Sequence, residues 1–197
     1  AQAADILVVS AMDGGTPALF AVTASDAELT AYPLMDGGRG ADIRLDAAPA
    51  TRLDLALADL LDTTLLALSA EALGLMERCK DTTVDYLKTR RQFGVALSKF
   101  QALQHRVVEM VTEIEQTRSA VINAAHHLHE SSSHKYAAAA KYTAAVTGRM
   151  VAEEAIQLHG GIAMTWEYDL AHVAKRLVMT AQIMGDEDVH LRRFAAF

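Results

Sequence analysis

The sequence has little cysteine, proline or aromatic side chain, and each shortage excludes a class of protein. Its single cysteine, Cys79, cannot form an internal disulfide or a cysteine-based zinc site, so a reducing, cytoplasmic setting is expected. Three prolines and 6% aromatic residues among 197 positions, with many Ala and Leu residues, favour helix. No stretch of about 18 uninterrupted apolar residues is present, so no membrane span is predicted.

The charge balance is mildly acidic. The chain has 18 Lys and Arg residues against 25 Asp and Glu residues, a net charge of −7, and it has no basic run. Nucleic-acid-binding proteins carry a face rich in Lys and Arg, so neither nucleic acid nor a membrane is expected as a partner. A hydrophobic fraction of 51% with 22% charged residues is typical of a globular chain and excludes intrinsic disorder.

The composition changes near residue 50. All three prolines and five of the eleven glycines lie before this point. Short apolar runs separated by turns rich in Gly and Pro predict three strands, the first two forming a hairpin, at 6–10, 18–23 and 41–45. Three strands leave edges unpaired and bury little core, so this segment is expected to need further chain or a partner.

After residue 50 the apolar residues repeat at helical spacing, in steps of three or four. This pattern predicts four long helices, at about 54–91, 100–130, 135–158 and 168–193. Long helices joined by short links pack as an antiparallel bundle. The expected fold class is therefore mainly α: an antiparallel four-helix bundle over 51–197, preceded by a small antiparallel β segment over 1–50.

Two stretches combine groups that can hold an anion. Arg90 and Arg91 lie at the end of the first predicted helix, and the third predicted helix stops at Gly160 and Gly161. A guanidinium fork and main-chain amides without neighbouring side chains suit a pyrophosphate. A simpler interpretation is that the arginines reach into solvent from a helix end and the glycines only cap a helix. Composition alone leaves both interpretations open.

The spacing R-x-x-F-G-x6-Q-x2-Q from Arg90, with a later Q-x-H-G-G from Gln157 and the pair Glu167-Tyr168, resembles the C-terminal helical domain of acyl-CoA dehydrogenases. The resemblance covers about 52–197, and residues 4–50 look like the second half of that family's middle β-domain. Within the family, the runs 86–94 and 184–194 are similar to small subunits of pimeloyl-CoA dehydrogenases.

The resemblance implies a chain of about half a family subunit, working in a homo- or hetero-oligomer, a dimer or tetramer, on an acyl-CoA substrate with FAD as cofactor. The implied reaction removes a proton from the α-carbon of an acyl thioester and passes hydride from the β-carbon to the flavin. The positions that match the family's flavin contacts, to the FAD of a neighbouring subunit, are Arg90, Phe93, Gln101, Gln157, Gly160 and Gly161.

The sequence departs from the family where a catalytic carboxylate is expected. The two positions that the family uses for the base are Met184 and Thr64 here, and neither can accept a proton. The catalytic residue is therefore unknown: a sister subunit supplies it, or an acid nearby replaces it, or the chain is a non-catalytic structural subunit that completes a partner's flavin site. The nearby acids are Asp62, Glu71, Asp186 and Glu187.

Histidines offer a second kind of chemistry that the pattern does not favour. His126, His127, His129 and His134 cluster beside three serines, which is typical of a solvated helix end. Glu187 and His190 make one Glu-x-x-His step, whereas a di-iron bundle needs two such steps and two further inward glutamates. No metal site is expected.

Overall fold

The computed structural model describes residues 3–197. The chain forms two compact units, and the boundary along the sequence lies between Leu61 and Asp62. The first unit is built of antiparallel strands. Strands β1 (Ile6–Asp13), β2 (Thr16–Thr23) and β5 (Ala50–Leu53) form one sheet in the order β1-β2-β5. Strands β3 (Glu28–Pro33) and β4 (Arg39–Arg44) pair as a separate two-stranded sheet.

The predicted hairpin is present, with Ile6 paired to Thr23 and Asp13 paired to Thr16. The turn between them uses Gly14 and Gly15, both at positive φ, a conformation that glycine adopts without steric cost. Two strands were absent from the sequence expectation, β3 and β5, because neither shows an apolar run. The strand expected at 41–45 overlaps β4, which begins two residues earlier and ends one residue earlier.

The second unit is helical. Its helices are α1 (Leu57–Thr89), which starts in the preceding unit, α2 (Gln101–His126), α3 (Ser133–His159), α4 (Asp169–Gln182) and α5 (Glu187–Ala195). A small hairpin of β6 (Arg91–Gln92) and β7 (Val95–Ala96) follows α1, and a short 3₁₀ segment, Gly160–Met164, follows α3. None of the described helices is long and apolar enough to cross a membrane. The mainly α fold class predicted from the sequence is confirmed.

Helix α3 is the central element of the helical unit, and it packs against α2, α4 and α5. Its buried face is made largely of alanine, whose short side chain lets neighbouring helices approach closely. At Gly148, an added Cβ would lie 3.4 Å from both Leu177 of α4 and Met76 of α1. Cys79 is buried in the same core, where desolvation raises the pKa of its thiol to about 12.

The expectation of one continuous helix over 168–193 is wrong, because the chain breaks between α4 and α5. Met184 and Gly185 have φ values of 64° and 105°, outside the helical region. The carbonyls freed at the end of α4 accept hydrogen bonds from the buried Lys141 Nζ, at 2.9 Å from Thr180 and 3.0 Å from Ala181. Helix α5 then starts anew because the Asp186 side chain caps it.

Gly74 offers a test of the helical core. It lies in an exposed position of α1, and a Cβ added there would meet no atom within 4 Å. We expect Gly74→Ala to raise the free energy of unfolding by about 0.5–1 kcal/mol, because alanine lowers the conformational entropy of the unfolded chain. Urea denaturation followed by circular dichroism measures this difference.

The matched control is Gly185→Ala. At φ 105° an alanine is strained, and its Cβ would lie 3.0 Å from Val189, so we expect a loss of stability. Equal effects of the two substitutions would contradict this reading of the break between α4 and α5.

Candidate functional site

The hairpin after α1 presents an aromatic ring to solvent. Phe93 and Gly94 form its two-residue turn, with φ values of 54° and 81°, as a type I′ turn requires. A phenylalanine in the left-handed region costs roughly 1–2 kcal/mol relative to glycine. Its ring is nevertheless 88% exposed. A strained, exposed aromatic residue marks a candidate contact for a ligand.

The start of α2 lies beside this hairpin. The rings of Phe93 and Phe100 are 6.1 Å apart in an edge-to-face arrangement, and Leu97 N–H donates to the Arg90 carbonyl at 2.9 Å. Gln101 is the first residue of α2 and its side chain is exposed. Three of the six sequence-predicted site residues therefore lie together: Arg90, Phe93 and Gln101.

The other three predicted residues lie together at the end of α3. Gln157 is exposed on the last turn. Gly160, at φ 68° and ψ −147°, adopts a conformation that is essentially restricted to glycine. Its N–H donates to the Ile156 carbonyl and closes the helix, so this amide is not a free donor for an anion. The proposed contact of Gly160 with the cofactor stays a prediction.

Gly161, unlike Gly160, has a backbone conformation that does not require glycine. Its φ lies outside the left-handed region, and an added Cβ would meet nothing within 4 Å among the described residues. Neither backbone strain nor packing in this chain therefore demands a glycine here. The consequence is a stretch of bare, exposed backbone that another molecule can approach closely.

A contact between rings joins the two groups of residues. Tyr86, on the last turn of α1, stacks on His159 with ring centroids 4.4 Å apart and planes 25° apart. The Tyr86 carbonyl accepts the Arg90 N–H at 2.8 Å, and His159 immediately precedes Gly160. The end of α1 that carries Arg90 and the end of α3 that carries the glycine pair therefore meet at one end of the bundle.

Four polar side chains at this end have no partner among residues 3–197. No ion pair or side-chain hydrogen bond engages Arg90, Arg91, Gln101 or Gln157. Five other arginines of the bundle pair with carboxylates, such as Arg106 with Glu154 at 2.7 Å, whereas Arg78 and Arg192 have no ion pair among residues 3–197. In a chain of net charge −7, an exposed pair of cations without a counter-ion is a candidate anion-binding surface.

The four acids near the expected base positions are all held by other groups of the chain. Asp62 is 2% exposed, and one of its carboxylate oxygens accepts the Ser133 hydroxyl at 2.7 Å. One such contact for each acid is Asp62 with Ser133, Glu71 with Arg176, Asp186 with the Val189 amide, and Glu187 with Arg149. Met184 itself is 46% exposed, and Thr64 is half-buried on α1.

Among the described histidines, two lie with an acid at the end of α2. Ligand atoms of His126, His127 and Glu130 lie within 4.8 Å of one another, and His127 Nδ1 is 2.8 Å from the Asn123 carbonyl. His134 is separate from them and lies 3.9 Å from the Asp62 carboxylate. A solvated helix end without a metal stays the prediction for this cluster.

Sequence reasoning gave no role to Tyr86 and His159, which join the two halves of the site. His159 is 4% exposed, its Nδ1 lies 2.8 Å from the Ala155 carbonyl, and its ring also meets Tyr168 at 5.4 Å. Both residues stand next to the motif residues, but periodicity carries no information about which helix ends meet. Only the packing of α1 against α3 reveals the pair.

Comparison with known proteins gives the family. The model of the acyl-CoA dehydrogenase C-terminal domain matches residues 55–197. The acyl-CoA dehydrogenase IpdE2 of Mycolicibacterium smegmatis is 40% identical over 137 residues, which cover 70% of this chain and 43% of that protein. The chain belongs to the acyl-CoA dehydrogenase family and contains its C-terminal domain. The finer resemblance to pimeloyl-CoA dehydrogenase small subunits stays a prediction.

Solved structures agree with this assignment. The Tcur3481–Tcur3483 steroid acyl-CoA dehydrogenase G363A variant superimposes with a TM-score of 0.94 at 30% identity, covering 98% of this chain and 55% of that one. The ChsE4–ChsE5 complex from Mycobacterium tuberculosis gives 0.88 at 25% identity, covering 99% and 56%. The chain thus spans about half the length of these relatives.

The buried histidines predict how stability changes with pH. Burial lowers the pKa of His159 below its ordinary value, although the Ala155 and Thr82 backbones oppose this shift. Burial also lowers the pKa of His190, and the charges of Lys141 and Arg193 lower it further. Near pH 6 the unfolded chain therefore binds more protons than the folded chain. The stability that the two neutral histidines contribute is complete above the unfolded pKa of about 6.5 and is lost as the pH falls below it.

We therefore expect a lower free energy of unfolding at about pH 5.5 than at about pH 7.5, a window in which most carboxylates stay ionised. Urea denaturation at the two pH values measures the difference. His159→Phe keeps a ring in the stack and removes one titrating group. The free energy of unfolding of this variant should therefore differ less between the two pH values. An equal difference in the variant would contradict the assignment to His159.

Proposed function

We propose that this chain contributes the C-terminal helical domain to an oligomer that performs FAD-dependent α,β-dehydrogenation of an acyl-CoA thioester. One observation carries the proposal: unpaired Arg90 and the bare backbone of Gly161 lie at the same end of the bundle, joined through the Tyr86–His159 contact. The family's C-terminal domain over 55–197 supports it. Under this proposal residues 1–50 are the remaining part of the middle β-domain.

The residues at this end fit a dinucleotide. Arg90 and Arg91 supply guanidinium groups for a diphosphate, which accepts paired N–H donors well. Gln101 and Gln157 supply exposed amides, and Phe93 supplies an apolar ring. Gly161 lets the backbone approach the ligand without a Cβ in between. FAD, when bound, accepts the hydride that leaves the β-carbon of the substrate.

The proton of the α-carbon needs a base that this chain does not offer at either family position. Met184 and Thr64 cannot accept it, and the four nearby acids are engaged in ion pairs, hydrogen bonds or a helix cap. We therefore assign the base to another subunit. Two similar solved proteins are described as pairs of differently named chains, Tcur3481–Tcur3483 and ChsE4–ChsE5, and this supports a hetero-oligomer.

A second candidate function rests on the same missing carboxylate. The chain could be a non-catalytic subunit whose only task is to complete the flavin site of its partner. The occupied acids favour this reading over a relocated base, since each relocated base would first have to break a contact within the bundle. In both readings the cation-bearing end of the bundle faces a flavin held mainly by another subunit.

The first test is flavin retention by the assembled protein. We expect Arg90→Ala to weaken FAD binding about tenfold, because one charge-assisted contact is lost. Gly161→Ala should also weaken binding without lowering the thermal midpoint, since its Cβ meets no atom within 4 Å among the described residues. Fluorescence titration of the apoprotein with FAD and thermal denaturation give the two quantities.

The matched control for the cation is Arg78→Ala. Arg78 is an exposed arginine of the same helix, about 18 Å before Arg90 along α1. Its removal changes the net charge equally and should leave FAD affinity unchanged. Equal losses in both variants would point to general electrostatics, and no loss in Arg90→Ala would refute the proposed site.

The second test separates the two candidate functions. Acyl-CoA dehydrogenase activity is measured for the protein alone, for a candidate partner alone and for the mixture. We expect activity in the mixture that survives combined replacement of Asp62, Glu71, Asp186 and Glu187 in folded variants. Activity of this chain alone that disappears with one of these acids would instead reveal a relocated base. Flavin bound only in the mixture would favour the structural subunit.

A further inference from the structure

The proposed flavin surface consists of two groups of residues, on the end of α1 and on the end of α3. Among the described residues, the stack of Tyr86 on His159 is a side-chain contact that joins the end of α1 to the end of α3. Each ring is adjacent to one half of the surface. Tyr86 accepts the Arg90 N–H through its carbonyl at 2.8 Å, and His159 is bonded covalently to Gly160.

His159 is held in one orientation by its surroundings. Its Nδ1 lies 2.8 Å from the Ala155 carbonyl, one turn earlier on α3, so this nitrogen carries the proton. The ring is 4% exposed and meets both Tyr86, at 4.4 Å, and Tyr168, at 5.4 Å. Burial lowers its pKa and keeps it neutral at neutral pH. A displaced ring would therefore carry the start of the Gly160–Gly161 segment with it.

We infer that the Tyr86–His159 stack is a positioning element, which sets the separation between Arg90 and the bare backbone at Gly161 so that both reach one diphosphate. This inference rests on the function proposed above. Neither ring is a catalytic residue, because each lies behind the surface and acts through the residue that follows it. Tyr168 supports His159 from a third element, immediately before α4.

Ordinary core packing makes a different prediction from positioning. If the stack only stabilises the fold, its loss and the loss of Arg90 act independently on FAD affinity. If the stack sets the separation between Arg90 and Gly161, Arg90 contributes little to FAD affinity once the stack is removed. The effects of the two substitutions are then not additive. A double-mutant cycle measures this coupling directly.

The cycle uses Tyr86→Ala, Arg90→Ala and the double variant in the assembled protein, with FAD titration as the readout. We expect Arg90→Ala to weaken binding about tenfold in the native background and less than about threefold in the Tyr86→Ala background. Tyr86→Phe keeps the ring and should restore both the affinity and the full effect of Arg90→Ala.

The chain offers a matched control at the other end of α3. His127 and Tyr136 also stack, with centroids 3.9 Å apart and planes 24° apart, and Tyr136 lies on the order of 35 Å from His159 along the helix. Tyr136→Ala removes a comparable contact, so it should lower the thermal midpoint without changing FAD affinity or the effect of Arg90→Ala.

The outcomes are distinguishable. An equal effect of Arg90→Ala in the native and Tyr86→Ala backgrounds overturns the positioning role and leaves the proposed function standing. No effect of Arg90→Ala in the native background overturns both. If Tyr86→Ala does not fold, as judged by circular dichroism, the same cycle is run with His159→Leu, which removes the other ring, and the same criteria apply.

Discussion

The close packing of small residues along α3 is the constraint on which the helical unit depends. Alanines such as Ala144, Ala152 and Ala155 leave room for the neighbouring helices, and at Gly148 even an added Cβ would lie 3.4 Å from side chains of α1 and α4. Because α3 is the common neighbour, its end fixes where the other helix ends lie. The candidate site is a consequence of that arrangement: α1 ends, α2 begins and α3 ends at the same end of the bundle.

Buried polar side chains then determine where the helices stop. Lys141 lies inside the bundle because it donates to the carbonyls that α4 leaves free, and burial lowers its pKa. His190 packs against the same break and lies 3.1 Å from the Met184 carbonyl. These contacts hold residue 184 at positive φ on an exposed corner. The fold thus holds a specific backbone geometry at the position that the family resemblance assigns to the catalytic base, where this chain carries methionine.

Much of the fold could be predicted from the sequence, because the helices bury stripes whose spacing is visible in the apolar residues. Leu65, Ala72 and Cys79 follow the helical spacing of apolar residues in α1 and are buried. Apolar spacing does not predict the burial of Ser69 and Thr83, whose hydroxyls donate to carbonyls of their own helix at 2.7 Å and are thereby satisfied in the core. The six candidate flavin contacts could be proposed only from a motif, and their use in binding FAD stays a prediction.

The sequence by itself determined the mainly helical class, the family motif and the absence of a carboxylate at Met184 and Thr64, since these depend on residue identity and local spacing. The tertiary structure alone decided that Arg90 and Gly161 share one end of the bundle, that the Gly160 amide is already bonded, and that the nearby acids are engaged. Those facts depend on contacts between residues far apart in the chain. Periodicity describes one helix at a time, so it cannot show which helix ends meet.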